Sequence, residues 1–169
     1  MTNQACFQLT KEKFKLLFDT YFDSVRSYLF YRGAEKEQAS DLAQDVFLKV
    51  WEKQFDIDLK AASGLLYKIA GDMFISQYRR EKLELNFKTA LLKDTADVTP
   101  EDQFRYRELL SMYTKILAGM NEKHRIVFMM SRMEGLKYRE IADRLRLSVK
   151  AVEKRMNIAL SILKKTLEE

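Results

Sequence analysis

Apolar residues along the chain recur mostly every three or four positions and seldom in alternation, a period that predicts amphipathic helices rather than strands. Residues that break helices are scarce, because the 169 residues include one proline and five glycines. The aliphatic and aromatic content is high enough for packed cores. The sequence therefore predicts an all-α fold.

The helical period is interrupted in the middle of the chain. The first helical block runs from about Thr10 to Lys82, and the stretch "ELNFKTALLKDTADVTP" that follows keeps no sustained period. The string "TPED" then predicts a helix start, with Thr99 as N-cap and Pro100 at the first helical position. We therefore predict two small helical domains joined by a short linker: residues 1–83 and 99–169, with the linker at 84–98.

Two amphipathic helices are predicted near the end of the chain with very few residues between them, in "KYREIADRLRLSVKAVEKRMNIALSILKK" (137–165). Ser148 is a suitable N-cap for the second helix, and only about three residues connect the pair. A tight pair whose second helix is basic and exposed is typical of the helix-turn-helix, which places that helix in the DNA major groove. The face of the second helix predicted to enter the core comprises Val149, Val152, Met156, Ala159, Leu160, Leu163 and Leu167.

The positive charge of the chain is concentrated in its C-terminal part. Residues 1–98 carry 15 basic and 15 acidic side chains, whereas residues 99–169 carry 15 and 10, so the net charge of +5 belongs to the second stretch. Residues 137–165 alone hold nine basic and three acidic side chains. Such a basic surface is typical of a polyanion-binding face, although charge alone also fits a solvated helix.

Polar side chains of the second helix have the chemistry to read bases. Lysine donates to guanine, asparagine pairs with adenine and glutamate accepts from cytosine. Basic side chains at the margin of the helix and before the preceding one are assigned to phosphates. The predicted base-facing residues are Lys150, Glu153, Lys154 and Asn157, and the predicted phosphate contacts are Lys137, Arg139 and Arg155. The alternative is a helical hairpin with a charged exterior.

An acidic stripe runs along the helix predicted from "EKEQASDLAQDVFLKVWEK". Asp41, Asp45, Leu48 and Glu52 share a face that is separate from the apolar one, and residues 35–58 hold seven acidic and three basic side chains. Acids around a central leucine suit a protein partner with basic helices. A solvated helix face is the commoner explanation of such a stripe.

Aromatic and basic side chains interleave in the next helix, "SGLLYKIAGDMFISQYRREK". Unpaired bases stack on aromatic rings while nearby cations hold phosphates, so this pattern indicates a surface for single-stranded nucleic acid. Most such aromatics belong to a core. The residues of the pattern are Tyr67, Lys68, Phe74, Tyr78, Arg79 and Arg80.

Taken together, these stretches resemble the bacterial RNA polymerase sigma factors of the sigma-70 family, in particular the extracytoplasmic-function (ECF) type. The resemblance covers nearly the whole chain and rests most on "DLAQDVFLKVW" and "GLKYREIADRLRLSVKAVEKRM", in this order and separation. One departure is that Gly71 and Asp72 stand where the family commonly has an arginine and an asparagine.

The resemblance implies a role for each surface. The acidic motif would dock on the clamp helices of core RNA polymerase through Asp41, Gln44, Asp45 and Leu48. The aromatic helix would capture the unwound minus-ten promoter element, and the C-terminal helix would read the minus-thirty-five element. A membrane-linked anti-sigma factor is a further partner that the family suggests. Two tethered domains that read one promoter make each weak contact effective.

The composition argues against catalysis. With one histidine, one cysteine and no glycine-rich phosphate loop, the chain lacks the residues for a zinc cluster or a histidine-based triad, so we expect no enzyme, metal or cofactor, although a carboxylate pair stays open. The single cysteine, Cys6, cannot form an internal disulfide, and no stretch is apolar enough for a signal peptide or a membrane span. We therefore expect a cytoplasmic protein.

Two other functions remain open at the level of sequence. The string "LSVKAVEKRMNIAL" also resembles the DNA-binding domain of response regulators, which would make the protein a stand-alone regulator of operator DNA. A helical adaptor that binds acidic protein is the other alternative, and it would show no DNA sequence preference.

Overall fold

The computed structural model describes residues 9–54, 59–78 and 100–168, and these residues form seven α-helices and no strand. The all-α prediction is confirmed. The N-terminal helices are α1 (Lys11–Arg32), α2 (Lys36–Glu52) and α3 (Leu59–Tyr78). The C-terminal helices are α4 (Pro100–Gly119), α5 (Glu122–Met133), α6 (Tyr138–Leu145) and α7 (Val149–Glu168).

Several helix ends follow directly from local chemistry. The Thr10 side chain accepts a hydrogen bond from the Lys13 backbone N–H at 3.2 Å and so caps α1. Gly33 ends α1 in the left-handed conformation, with φ of 119°, where glycine has no Cβ to clash. The helix start predicted at Pro100 is confirmed, while Thr99 lies outside the described residues.

The N-terminal helices enclose an aromatic core. Phe47 of α2 is buried among three phenylalanines of α1, with ring centroids 6.3 Å from Phe14, 5.1 Å from Phe18 and 6.0 Å from Phe22. Offset and edge-on aromatic pairs add to the hydrophobic gain of burial. The helical period predicts a core face of α2 made of Ala39, Leu42, Ala43, Val46, Phe47, Val50 and Trp51. The first six are buried, and Trp51 is half-buried against the core.

The C-terminal helices form the predicted helix-turn-helix. Ile141 and Ala142 of α6 pack against the buried face of α7. The turn between them places Arg146 in the left-handed region, with φ of 53°, and the Leu147 backbone N–H donates to the Ala142 carbonyl at 2.8 Å. Two backbone groups at the end of α6 are thereby satisfied without a glycine.

The predicted core face of α7 is confirmed for Val152, Met156, Ala159 and Leu163 and is wrong at two positions. The side chain of Leu167, the remaining predicted position, lies outside the described residues. Val149 lies in the first turn of α7 and is exposed. Leu160 turns toward solvent on the margin of the apolar face and is also exposed. The helical period of 100° per residue predicts buried residues at the centre of an apolar face more reliably than at its margins.

The two groups of helices pack against each other: α1 contacts α5, and α3 contacts α6. The buried residues of both groups form one continuous cluster. Relative to the other helices, α2 and α7 therefore sit at the outside, and their polar faces are open.

Replacement of Phe47 by alanine tests the aromatic core. We expect the Phe47→Ala variant to lose about 3–5 kcal/mol of unfolding free energy, because three rings lose their common neighbour and a cavity remains. The measurement is equilibrium denaturation in guanidinium chloride. Leu48→Ala, at the adjacent exposed position, is the control and should change stability by only about 0.5 kcal/mol. Equal losses in both variants would contradict this description of the core.

Candidate nucleic-acid and protein interfaces

The outward face of α7 carries the predicted base-reading residues together. Lys150, Glu153, Lys154 and Asn157 are all exposed. With Ile158, Ser161 and Ile162 they line a shallow, open groove of about 540 Å³. The arrangement offers donors and acceptors along some three turns of one helix, which suits contact with base edges in a major groove.

Local hydrogen bonds fix how α6 and α7 present this face. The Ser148 hydroxyl accepts from the Ala151 backbone N–H at 3.2 Å, which confirms Ser148 as the N-cap of α7. At the start of α6, the Glu140 carboxylate accepts from the Lys137 backbone N–H at 2.7 Å. Both caps satisfy backbone donors that a helix start leaves open.

The predicted phosphate contacts flank the groove-facing helix. Lys137 and Arg139 are exposed at the start of α6, whereas Arg155 is half-buried on α7. The pKa of His124 is lowered by burial and then by the positive charges of Arg155 and Lys123.

The acidic stripe of α2 is open along its whole length. Asp41, Gln44, Asp45 and Glu52 are exposed, and Leu48 among them has 53% of its surface exposed. Exposure of these side chains is what the predicted protein contact requires, but single exposed leucines are common on protein surfaces, so the contact stays a prediction.

A cavity of about 300 Å³ adjoins the stripe and is lined by Lys11, Phe14, Leu48 and Trp51. Two of these residues come from the start of α1. Sequence reasoning missed Lys11 and Phe14, because only the packing of α1 against α2 brings them beside the stripe. The amphipathic pattern of α1 carried no sign of that contact.

The aromatic residues predicted to stack on bases lie inside the structure. Tyr67 is 2% exposed and Phe74 is 6% exposed. The Tyr67 ring lies 4.9 Å from that of Tyr28, and the guanidinium carbon of Arg32 lies 4.8 Å from the Phe74 ring centroid. In this arrangement neither ring is open to a base, so their role at DNA stays a prediction.

Other members of the predicted minus-ten surface are placed differently. Lys68 is exposed on α3. Tyr78 ends α3, and its side chain lies outside the described residues, as do Arg79 and Arg80 altogether.

A polar cluster joins α3 to the C-terminal helices. The Arg144 guanidinium donates to the Tyr67 hydroxyl at 3.2 Å and to the Glu134 carboxylate at 3.1 Å. Burial raises the pKa of Glu134 to about 7, although the charge and hydrogen bonds of Arg144, and a further hydrogen bond of Tyr31, act in the opposite direction. The pKa of Tyr67 is also raised, mainly by burial.

Within the described residues, no group of histidine, cysteine, aspartate and glutamate side chains is arranged to hold a metal ion. None of the helices in that part of the chain is both long and apolar enough to cross a membrane.

Comparison with known proteins identifies both halves of the chain. The family model "Sigma-70 region 2" matches residues 17–84, and "Sigma-70, region 4" matches residues 106–163. The ferric citrate uptake sigma factor FecI of Escherichia coli K12 is 30% identical over 143 residues, which are 83% of each chain. The ECF RNA polymerase sigma factor SigX of Bacillus subtilis is 26% identical over 166 residues, covering 94% of this chain and 85% of SigX.

A solved structure shares the fold. The structure of CnrH in complex with the cytosolic domain of CnrY aligns with a TM-score of 0.62 and 21% identity, over 94% of this chain and 90% of that one. At this identity the likeness speaks for the fold alone.

The raised pKa of Glu134 predicts a pH dependence. The folded chain binds a proton at Glu134 more tightly than the unfolded chain does. Proton binding therefore stabilises the fold fully below about pH 4.5, and this stabilisation is lost as the pH rises to about 7. Between about pH 5 and pH 7.5, we expect the melting temperature of the native chain to fall relative to that of a Glu134→Gln variant.

The measurement is thermal denaturation of both chains across this pH range. Glu108→Gln, which changes an exposed carboxylate of α4, is the control and should follow the native profile. Parallel profiles for Glu134→Gln and the native chain would contradict the assignment.

Proposed function

The chain belongs to the sigma-70 family of RNA polymerase sigma factors, in the extracytoplasmic-function group, and we propose which of its surfaces bind core polymerase and which bind promoter DNA. It is an alternative sigma factor, which binds core RNA polymerase and promoter DNA and directs transcription initiation. The division is supported most by one observation: an acidic stripe with an open leucine and a basic base-reading helix lie on different helices of one chain.

The N-terminal helices would form sigma domain 2, within residues 1–83, and the C-terminal helices sigma domain 4, within residues 99–169, with residues 84–98 as the linker. The matches to region 2 and region 4 support this division. Such a chain binds and positions other macromolecules and carries no catalytic group of its own. It acts in the cytoplasm, where core polymerase meets the chromosome.

Core polymerase would bind the exposed face of α2, through Asp41, Gln44, Asp45, Leu48 and Glu52. The leucine would enter an apolar site on the partner, while the acids pair with basic side chains around it. Charge pairs at a rim speed association and set its orientation more than they add affinity. The cavity beside Leu48 offers a place for an apolar side chain of the partner in return.

Promoter DNA would be read at two places. The minus-thirty-five element would lie along α7, with Lys150, Glu153, Lys154 and Asn157 at base edges and Lys137, Arg139 and Arg155 at phosphates. The minus-ten element would be bound through Tyr67, Lys68, Phe74, Tyr78, Arg79 and Arg80, of which Tyr67 and Phe74 are buried in the structure. An anti-sigma factor would regulate access to these surfaces. The solved complex of CnrH with the cytosolic domain of CnrY offers an analogy for that partner.

One substitution on each surface tests whether polymerase binding and upstream-DNA binding are separate. We expect Asp45→Arg to weaken binding to core polymerase and leave upstream-DNA binding unchanged, and Lys154→Ala to do the reverse. Loss of one base contact should cost about 1–3 kcal/mol of binding free energy on the promoter. The measurements are co-elution with core polymerase and titration of labelled upstream promoter duplex.

Matched controls come from the same helices. Lys36→Glu reverses an exposed charge of α2 outside the stripe, and Lys165→Ala removes an exposed lysine of α7 beyond the base-reading groove. Both should leave both assays nearly unchanged. If Asp45→Arg and Lys154→Ala each impaired both assays equally, the proposal of two separate surfaces would fail.

Base and phosphate contacts differ in salt dependence. We expect Arg139→Ala to lower affinity on all DNA sequences alike and to reduce the slope of log K against log salt by about 1. Lys154→Ala should instead lower affinity mainly on the promoter. Titrations of promoter and unrelated duplex at several salt concentrations measure both effects. An Arg139→Ala variant whose loss is confined to the promoter would contradict the assignment to phosphate.

A further inference from the structure

We propose that Ile158 of α7 reads the C5-methyl group of a thymine, so that the middle of this helix selects A·T pairs in the upstream element. The proposal rests on the proposed role of α7 at the minus-thirty-five element. It adds a base-reading residue of a different chemistry to the polar side chains already assigned to that face.

Ile158 is an apolar side chain on the polar face of α7. Successive residues of an α-helix are separated by about 100°, so Ile158 lies about 160° around the helix from Met156. Met156 is buried in the core, with 1% of its surface exposed. Ile158 therefore points away from the core, and it is half-buried in the groove that Asn157 and Ser161 also line.

The neighbours of Ile158 place it within the row of predicted base contacts. Residues four apart on a helix are adjacent, so Ile158 lies between Lys154 and Ile162. Lys154 is exposed, whereas Ile162 packs against the buried cluster. A single apolar residue on a surface is ordinary. Ile158 differs from such a residue because it lies beside a lysine and an asparagine that are predicted to face bases.

The major groove offers an isoleucine one favourable partner. The base edges there present hydrogen-bond donors and acceptors, and the C5-methyl group of thymine is their apolar group. Contact with that methyl group would bury apolar surface on both sides. Contact with a donor or acceptor would instead leave that group without its hydrogen bond, which is costly. Ile158 would thus favour thymine and disfavour the other bases at the same position.

The shape of isoleucine suits this contact. A side chain that branches at Cβ has one strongly preferred χ1 rotamer in a helix. The Ile158 side chain is therefore already ordered before DNA arrives, and little rotamer entropy is lost when the methyl group packs against it.

Asn157 beside it would read the partner base of the same or the next pair. Adjacent Cα atoms are about 3.8 Å apart, and stacked base pairs follow one another at about 3.4 Å. The amide of asparagine can pair with adenine through a donor and an acceptor. Together, Asn157 and Ile158 would select A·T pairs at the middle of α7, while Lys150, Glu153 and Lys154 face the preceding part of the element.

Replacement of thymine by uracil tests the contact at a single methyl group. The full chain, bound to core RNA polymerase, first selects duplexes from a library with a random upstream stretch, which identifies the upstream element. Each thymine of that element is then replaced in turn by uracil, which lacks the C5-methyl group but pairs in the same way. Binding of each labelled duplex is measured by fluorescence anisotropy.

We expect uracil at one position to weaken binding by the native chain about fourfold, which corresponds to about 0.8 kcal/mol for one apolar group of this size. This position should lie within one base pair of the adenine whose preference is relaxed by Asn157→Ala. The Ile158→Ser variant should bind the thymine and uracil duplexes equally well. Ile158→Val, which keeps a branched apolar side chain, should retain most of the difference.

Leu160→Ser is the matched control, because it removes an exposed apolar side chain of α7 that does not line the groove. It should keep the full native sensitivity to uracil. Circular dichroism checks that each variant keeps its helices. A native chain insensitive to uracil at every thymine would overturn the proposal, and so would equal sensitivity in the native chain and Ile158→Ser. Loss of sensitivity in Leu160→Ser as well would also overturn it.

Failure of the proposed function gives a different result. A selection that enriches no upstream element, or an element bound equally well by Lys154→Ala, would mean that α7 does not read promoter DNA, and the inference about Ile158 would fall with that role. An element that depends on Lys154 but contains no thymine sensitive to uracil would leave the role of α7 in place and overturn the inference about Ile158 alone.

Discussion

The buried guanidinium of Arg125 joins the two halves of the chain. It satisfies carbonyls at the ends of α1 and α4, and both helices end where their carbonyls converge on it. Further polar contacts between the halves are Arg32 with Glu122 and Arg144 with Tyr67. Because a buried cation tolerates few alternative surroundings, this interaction fixes how the N-terminal and C-terminal helices face each other.

Because the two groups of helices pack in this orientation, some of the proposed binding surfaces are exposed and others are covered. The α2 stripe and the α7 groove are both exposed, so the proposed contacts with core polymerase and upstream DNA need no rearrangement. On α3, Tyr67 is covered by Tyr28 of α1 and Arg144 of α6, and Phe74 is covered by Arg32 of α1.

Much of this organisation could be predicted from the sequence, because it depends on local rules. Ser148 as a cap, Ile141 and Val152 as core positions, and the open acids of α2 all follow from period and capping chemistry. What could not be predicted depends on residues distant in the chain. Arg144 lies 77 residues from Tyr67, and no pattern indicated that it would cover that ring. Two of the carbonyls that bind Arg125 lie 94 and 93 residues away in the chain, so no local pattern predicts them.

In vitro transcription shows whether this chain directs initiation as a sigma factor. Purified chain is added to core RNA polymerase with fragmented genomic DNA, and the 5′ ends of the transcripts are sequenced. We expect discrete new start sites that share two spaced upstream elements and that disappear with Lys154→Ala or Asp45→Arg. Sequence-specific DNA binding by the chain, without co-elution with core polymerase and without new transcripts, would contradict sigma-factor activity.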